Sequence, residues 1–410
     1  MAALQPIEAT VMPKNKRPVP RSSSKPTVDD DDALAARLAE LALALSEQEH
    51  AEPDDEAANA GGQDELHKLL RNALRKKNDD LLYGAIEHAR DTDVGAYQLL
   101  RSQIEEAAAT VVLRKEGGPA MEVNAFAIPL FVHSDGGLRQ DATFQDGDAF
   151  GALVDSFTSG GLESPQAKVV LISHAFDAEE MARISYSQLG EMARDAAAVM
   201  SERKLVAAPA LEAAMTGWAP TSFAPADKAV ELRFLVGFAY KREDDPFYAV
   251  PDDEALADAW FEQRVARYRA WTESAAPLVK RCLAADPGGL DLYFLYQDLF
   301  FGAREQGMAE LAMLQMMGTL SQALDGAGEG ASAVVGPADV ADAMVLRVNL
   351  IGRDGALLAS SDKPLDLAAD LQDEVDDIAD ALGTLGVHTI AVALRFDAAG
   401  QAVEPVPYQA

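Results

Sequence analysis

The sequence predicts an α+β protein whose C-terminal part runs β-α-β-β-α-β, the order of a ferredoxin-like module. Three observations carry that expectation. Leu66, Leu69, Leu70, Ala73 and Leu74 recur at the i, i+3, i+4, i+7, i+8 spacing of one helix face. Leu232, Phe234, Val236, Phe238 and Tyr240 alternate as the residues of a strand do. Arg353-Asp354-Gly355 separates two apolar alternating runs, which marks a hairpin. A chain of 410 residues exceeds one ordinary domain.

Residues 1–63 read as an arm. Pro13, Pro18, Pro20 and Pro26 punctuate a basic, Ser-rich segment that reads as disorder. A short amphipathic helix through Leu34, Leu38, Leu41 and Leu45 follows the acids Asp29 to Asp32, which suit its positive dipole end. Residues 52–63, rich in Asp, Glu, Ala and Gly, read as a linker that leaves this helix tethered and detachable. Residues 64–109 carry three helical stripes, with breaks at Asn78-Asp79 and Asp91-Thr92-Asp93 that serve as caps.

From residue 110 to 245 the period changes to that of an α+β module. A hairpin is expected over 110–132, with Phe126, Ile128, Leu130 and Val132 on one face, then a helix at 148–157 and a strand at 168–174. Helices are expected at 177–202 and 208–215, and a strand over 232–240. Residues 246–410 form the ferredoxin-like module: after a helix at 253–273 come a strand at 290–297, a helix at 303–324, strands at 344–351 and 356–360, a helix at 368–385 and a strand at 388–396. The earlier ββαβ run at 110–174 has a similar order and allows a second, related module.

Charge and composition narrow the function classes. The formal charge is −32; residues 1–28 carry Lys14, Lys16, Arg17, Arg21 and Lys25 against Glu8, a net of +4, so the remainder carries −36. Such a body repels phosphate backbones and anionic membranes, which leaves nucleic-acid contact to the basic arm 1–28. No apolar run is long enough to span a bilayer, and the N-terminus lacks the apolar core of a secretory signal, so a cytoplasmic location is expected. One cysteine, Cys282, excludes an intramolecular disulfide and a cysteine-based zinc site within the chain.

Few residues point to chemistry. Gly326, Gly328 and Gly330 follow a helix and precede a strand, the reverse of a phosphate-binding turn, so they read as a connector. His133 and His174 each end a strand and are followed by acids, Asp135 after one and Asp177 after the other. If the strands were neighbours, these groups could hold a divalent metal or act as an acid–base pair. Against this stands a strand-end histidine whose ring makes an ordinary hydrogen bond. Arg264, Arg267 and Arg269 beside Trp260 and Phe261 are expected to make intramolecular ion pairs. Met308, Met313, Met316 and Met317 give one helix an adaptable face for core or partner. No cofactor is expected.

Asn78-Asp79-Asp80 within its helical run, Tyr293-Phe-Leu-Tyr-Gln-Asp-Leu-Phe-Phe301 and Leu311-Ala-Met-Leu-Gln-Met-Met317 resemble a bacterial family of uncharacterised proteins, carried as a domain of unknown function. The resemblance implies a bacterial, cytoplasmic protein and no particular activity. The lack of a recognised catalytic constellation, the tethered amphipathic arm, the Met-rich helix and the ferredoxin-like module together read as a non-enzymatic regulatory or protein-binding adaptor, with another protein or a second copy as partner. The alternatives are an enzyme centred on His133 and His174, and association of the arm with nucleic acid or an anionic surface.

Overall fold

The computed structural model describes residues 28–49, 56–114, 117–134, 144, 146–201, 230–283, 289–325, 330–341, 343–365 and 370–408. It is a mixed α+β chain. The basic segment 1–27, Asp135 and the expected helix at 208–215 lie outside these residues.

Four helices open the chain: α1 (Val28–Glu49), α2 (Glu56–Lys76), α3 (Asp79–Thr92) and α4 (Val94–Ala109). The breaks between the last three fall where the sequence places them. Asn78 caps α3 by accepting from the Leu81 amide, and Asp93 caps α4 by accepting from that of Ala96. The detachable first helix is a correction. Ala35, Leu38, Ala39, Leu41 and Ala42 of α1 are buried in one core with Leu66, Leu82 and Leu100. Small residues permit the approach, since a Cβ at Gly84 would lie 3.7 Å from that of Ala35. Residues 56–63, expected as linker, belong to α2, and a Cβ at Gly62 would lie 3.5 Å from the Leu45 side chain.

The first sheet is formed by β1 (Thr110–Leu113), β2 (Met121–Ser134), β3 (Lys168–Phe176) and β4 (Val230–Arg242), in the order β1-β2-β4-β3. The helices α5 (Gly147–Ser159), α6 (Ala178–Arg183) and α7 (Tyr186–Ser201) connect its strands. Both faces are covered. One packs on α4, α7 and the start of a later helix at 300–325, with α1 to α3 extending the same core beyond them, and the other packs on α5 and α8 (Glu254–Leu283). Burial on both sides explains why 232–240 reads as nearly continuous apolar sequence.

The ferredoxin-like order is not realised. β5 (Leu290–Phe294), expected as the first strand of that module, pairs antiparallel with Leu130–Ser134 of β2, and β6 (Asp298–Leu299) pairs with the same strand. Trp271, Val279 and Leu290 lie in the core of the first sheet, so residues 254–283 and 289–299 pack with the strands of the first sheet and α5. The second sheet runs β13-β10-β7-β8-β9. Its strands are β7 (Ser332–Val340), β8 (Ala343–Ile351), β9 (Leu357–Pro364), β10 (Thr389–Val392) and β13 (Val406–Pro407), while β11 (Arg395–Phe396) and β12 (Ala402–Val403) form a separate ribbon. The expected hairpin at Gly355, whose φ is 83°, joins β8 to β9. The two sheets differ in strand order, so the second related module is not present.

α9 (Phe300–Asp325) links the two sheets. Phe300, Phe301 and Ala303 are buried in the first core, whereas Met316 and Leu320 are buried in the second with Val375, Ile378 and Leu382 of α10 (Leu371–Thr384).

Candidate partner-binding groove

The histidines are settled by register. His133 lies opposite Val230 on β4, whereas Leu171 and Ala175, which flank His174, lie opposite Gly237 and Leu235. The β2 residue opposite Val236 is Ala127, six positions before His133. At about 3.3 Å per residue the two imidazoles are about 20 Å apart along the sheet, with β4 between them. The structure does not bring them together. Among the described residues no group of three or more His, Cys, Asp and Glu side chains gathers as metal ligands would.

Each histidine has a local account. His174 is buried, with its Nε2 3.0 Å from both carboxylate oxygens of Glu180. Glu180 also accepts from the Asp177 amide, and Asp177 accepts from the Glu180 amide, a reciprocal cap on α6. The histidine therefore holds a helix start. His133 is half-exposed, with its Nδ1 4.0 Å from Asp291, which lies 3.7 Å from Lys280. That is a weak surface pair.

His133 nevertheless borders a groove of about 830 Å³. One wall is the end of the first sheet, where cross-strand pairing sets Phe131 beside Tyr293 and His133 beside Asp291 and Val230. The other is α9, which offers Glu310, Met313, Leu314 and Met317. The helix is seated hard on the sheet before this point. A Cβ at Gly307 would lie 2.8 Å from the Phe234 ring and 3.0 Å from Pro129, so only glycine permits the approach. Arg101 of α4 pairs with Glu305, and Arg304 stands 4.8 Å over the Phe301 ring. Burial lowers the Arg304 pKa from its ordinary value, and burial likewise pushes the neighbouring Tyr186 phenol up. Beyond Gly307 the helix serves the second core, and the wedge it leaves is the groove.

The lining is apolar and open. Tyr293 is 68% exposed and Leu314 47%. Asp291 and Glu310 set acidic groups among these walls. A volume in the range of ordinary ligand sites and a methionine-bearing wall suit it to an apolar guest. Of the four methionines, Met313 and Met317 line it, Met316 is buried in the second core, and Met308 lies exposed outside it. Sequence reasoning missed Val230, Glu310 and Leu314. The last two share a helix face with Met313 and Met317 at spacings of three and four, so that signal was present.

No protein-family model matches the chain, and comparisons with curated proteins and with solved structures give no match.

Proposed function

We propose that this chain is a non-catalytic adaptor that captures a basic amphipathic helix of a partner protein in the groove between β5 and α9. The observation that carries the reading is the open apolar lining of Tyr293, Leu314, Met313 and Met317 beside the carboxylates Asp291 and Glu310. A helix lying in such a groove presents anchors at i, i+3 and i+4. Its flanking Lys or Arg residues meet Asp291 and Glu310, and the −32 charge of the chain draws it in.

Fluorescence anisotropy with a labelled Leu/Lys amphipathic peptide tests this. Tyr293→Ala and Leu314→Ser leave the charge unchanged and remove exposed side chains only. Together they are expected to weaken binding by roughly 30- to 900-fold, on the order of 1–2 kcal/mol for each lost anchor. Equal binding by the double variant would mean that the peptide is held by net charge alone, and the groove would lose its role.

A further inference from the structure

The first turns of α9 carry an arginine that the fold leaves without an acceptor. Arg304 is half-buried, and its guanidinium rests 4.8 Å from the centre of the Phe301 ring. Among the described residues it makes no hydrogen bond and no ion pair. Its charged neighbours are occupied elsewhere. Arg101 pairs with Glu105 at 3.1 Å and with Glu305, and donates to the Tyr97 hydroxyl. Asp79 accepts from the Ser187 amide and from the hydroxyls of Ser185 and Ser187.

Two phenols beside Arg304 are in the same condition. The Tyr186 ring lies 4.9 Å from that of Phe301 and 5.2 Å from that of Tyr83. Tyr186 is only 5% exposed, yet neither its hydroxyl nor that of Tyr83 has a hydrogen-bond partner among the described residues. Buried tyrosines usually find one. The Arg304 charge acts on both phenols, lowering their pKa values against the larger upward effect of burial. Tyr83 is 46% exposed, so the cluster opens to solvent on the α3 side.

A guanidinium and two free hydroxyls are hydrogen-bond donors that call for an oxyanion. A carboxylate matches the planar guanidinium fork. Glu105, Glu305 and Asp79 stand nearby, and a doubly charged group such as phosphate would meet twice their repulsion. The rings of Tyr83 and Tyr186 suit a flat apolar body behind the charge. We propose that Arg304, Tyr83 and Tyr186 form a binding site for a small aromatic carboxylate. The site shares no residue with the groove, and Arg304 precedes Glu310 by six residues, about 9 Å along α9.

Saturation-transfer NMR on the full chain, with benzoate as the probe, tests the proposal. A saturable response with a midpoint of about 1–10 mM is expected. Benzamide, which has the same ring without the charge, should bind at least about ten-fold more weakly. Arg304→Met keeps an apolar stem over Phe301 and removes the donors, and should weaken benzoate binding by at least about ten-fold. Tyr83→Phe removes only a half-exposed hydroxyl and should weaken it about three- to ten-fold. Circular dichroism reports whether each variant keeps its helices, and Tyr83→Phe decides the matter if Arg304→Met does not fold. A response that never saturates would overturn the proposal. So would a folded variant that binds benzoate as the wild type does, benzamide binding equal to that of benzoate, or inorganic phosphate bound more tightly than benzoate.

Discussion

Leu38→Ala removes a side chain with no exposed surface from the contact of α1 with the helices around it. Its cost follows from the surroundings. Leucine-to-alanine changes in cores cost about 2–5 kcal/mol, more where the site cannot collapse into the space left. Leu38 is flanked on its own helix by Ala35, Ala39 and Ala42, all buried, and these have no side-chain length with which to fill a cavity. The upper part of the range, about 3–5 kcal/mol, is therefore expected. At about 1.4 kcal/mol per ten-fold, amide protection in α1 and α3 should fall by roughly 100- to 4,000-fold in native-state hydrogen exchange. The control is Glu40→Ala on the same helix, whose side chain is 70% exposed; it should change protection by less than about three-fold. If Leu38→Ala lowered the protection of Leu81, Leu82 and Ala85 by less than about five-fold, α1 would already open independently of α3. The helical layer would then not be one cooperative unit.

Three further perturbations test other parts of the fold. Gly307→Ala pushes a methyl against Phe234 and Pro129 and should cost about 1–3 kcal/mol in urea unfolding; a midpoint at the wild-type value would mean that α9 is not seated as described. Asp93→Ala removes the side chain that accepts from Ala96 N at 2.9 Å and should cost about 0.5–2 kcal/mol. Asp93→Asn should retain most of that stability, and equal losses in both would assign the effect to charge instead of capping. Burial, then the neighbouring Glu191, raises the Asp195 pKa above the ordinary aspartate value. The folded state therefore binds that proton more tightly than the unfolded chain, and the carboxylate opposes folding once the pH exceeds its folded pKa. Asp195→Asn should be more stable than the wild type at pH 7, with an advantage that shrinks as the pH falls toward the ordinary aspartate value. An advantage that grows toward acid would reverse the sign of the argument.

What the sequence disclosed was local. Asn78 and Asp93 act as caps because a short polar side chain before a helix has few alternatives, and the turn at Gly355 needs a positive φ that glycine supplies freely. The groove was half legible, through the methionines of α9. What remained hidden was non-local. The alternation of Leu290, Leu292 and Phe294 identifies a strand but carries no information on its neighbour, so β5 was assigned to the wrong sheet. β7 was missed because Gly336-Pro337 argues against a central strand. Its tolerance has a structural reason. The parallel pairing with β10 ends at Val335, so the proline falls where only the antiparallel neighbour β8 remains. The same limit applies to His133 and His174, since the separation of two strand ends depends on β4, which arrives in the chain after both.

The groove can be understood as a consequence of one helix serving two cores. Phe300, Phe301 and Ala303 commit the start of α9 to the first sheet, and Met316 and Leu320 commit its later turns to the second. Between Gly307 and Met316 there are about two and a half turns, in which the helix must leave one surface before it has fully joined the other. Leu311 on that stretch still packs against the first core, whereas Met313 and Leu314 stand across the groove from Val230 and the exposed Tyr293. The lining at this point is Met313, Leu314 and Met317, whereas a helix turned wholly to solvent would carry charge. Apolar side chains left open to a groove among the described residues are the physical ground on which the partner reading is proposed.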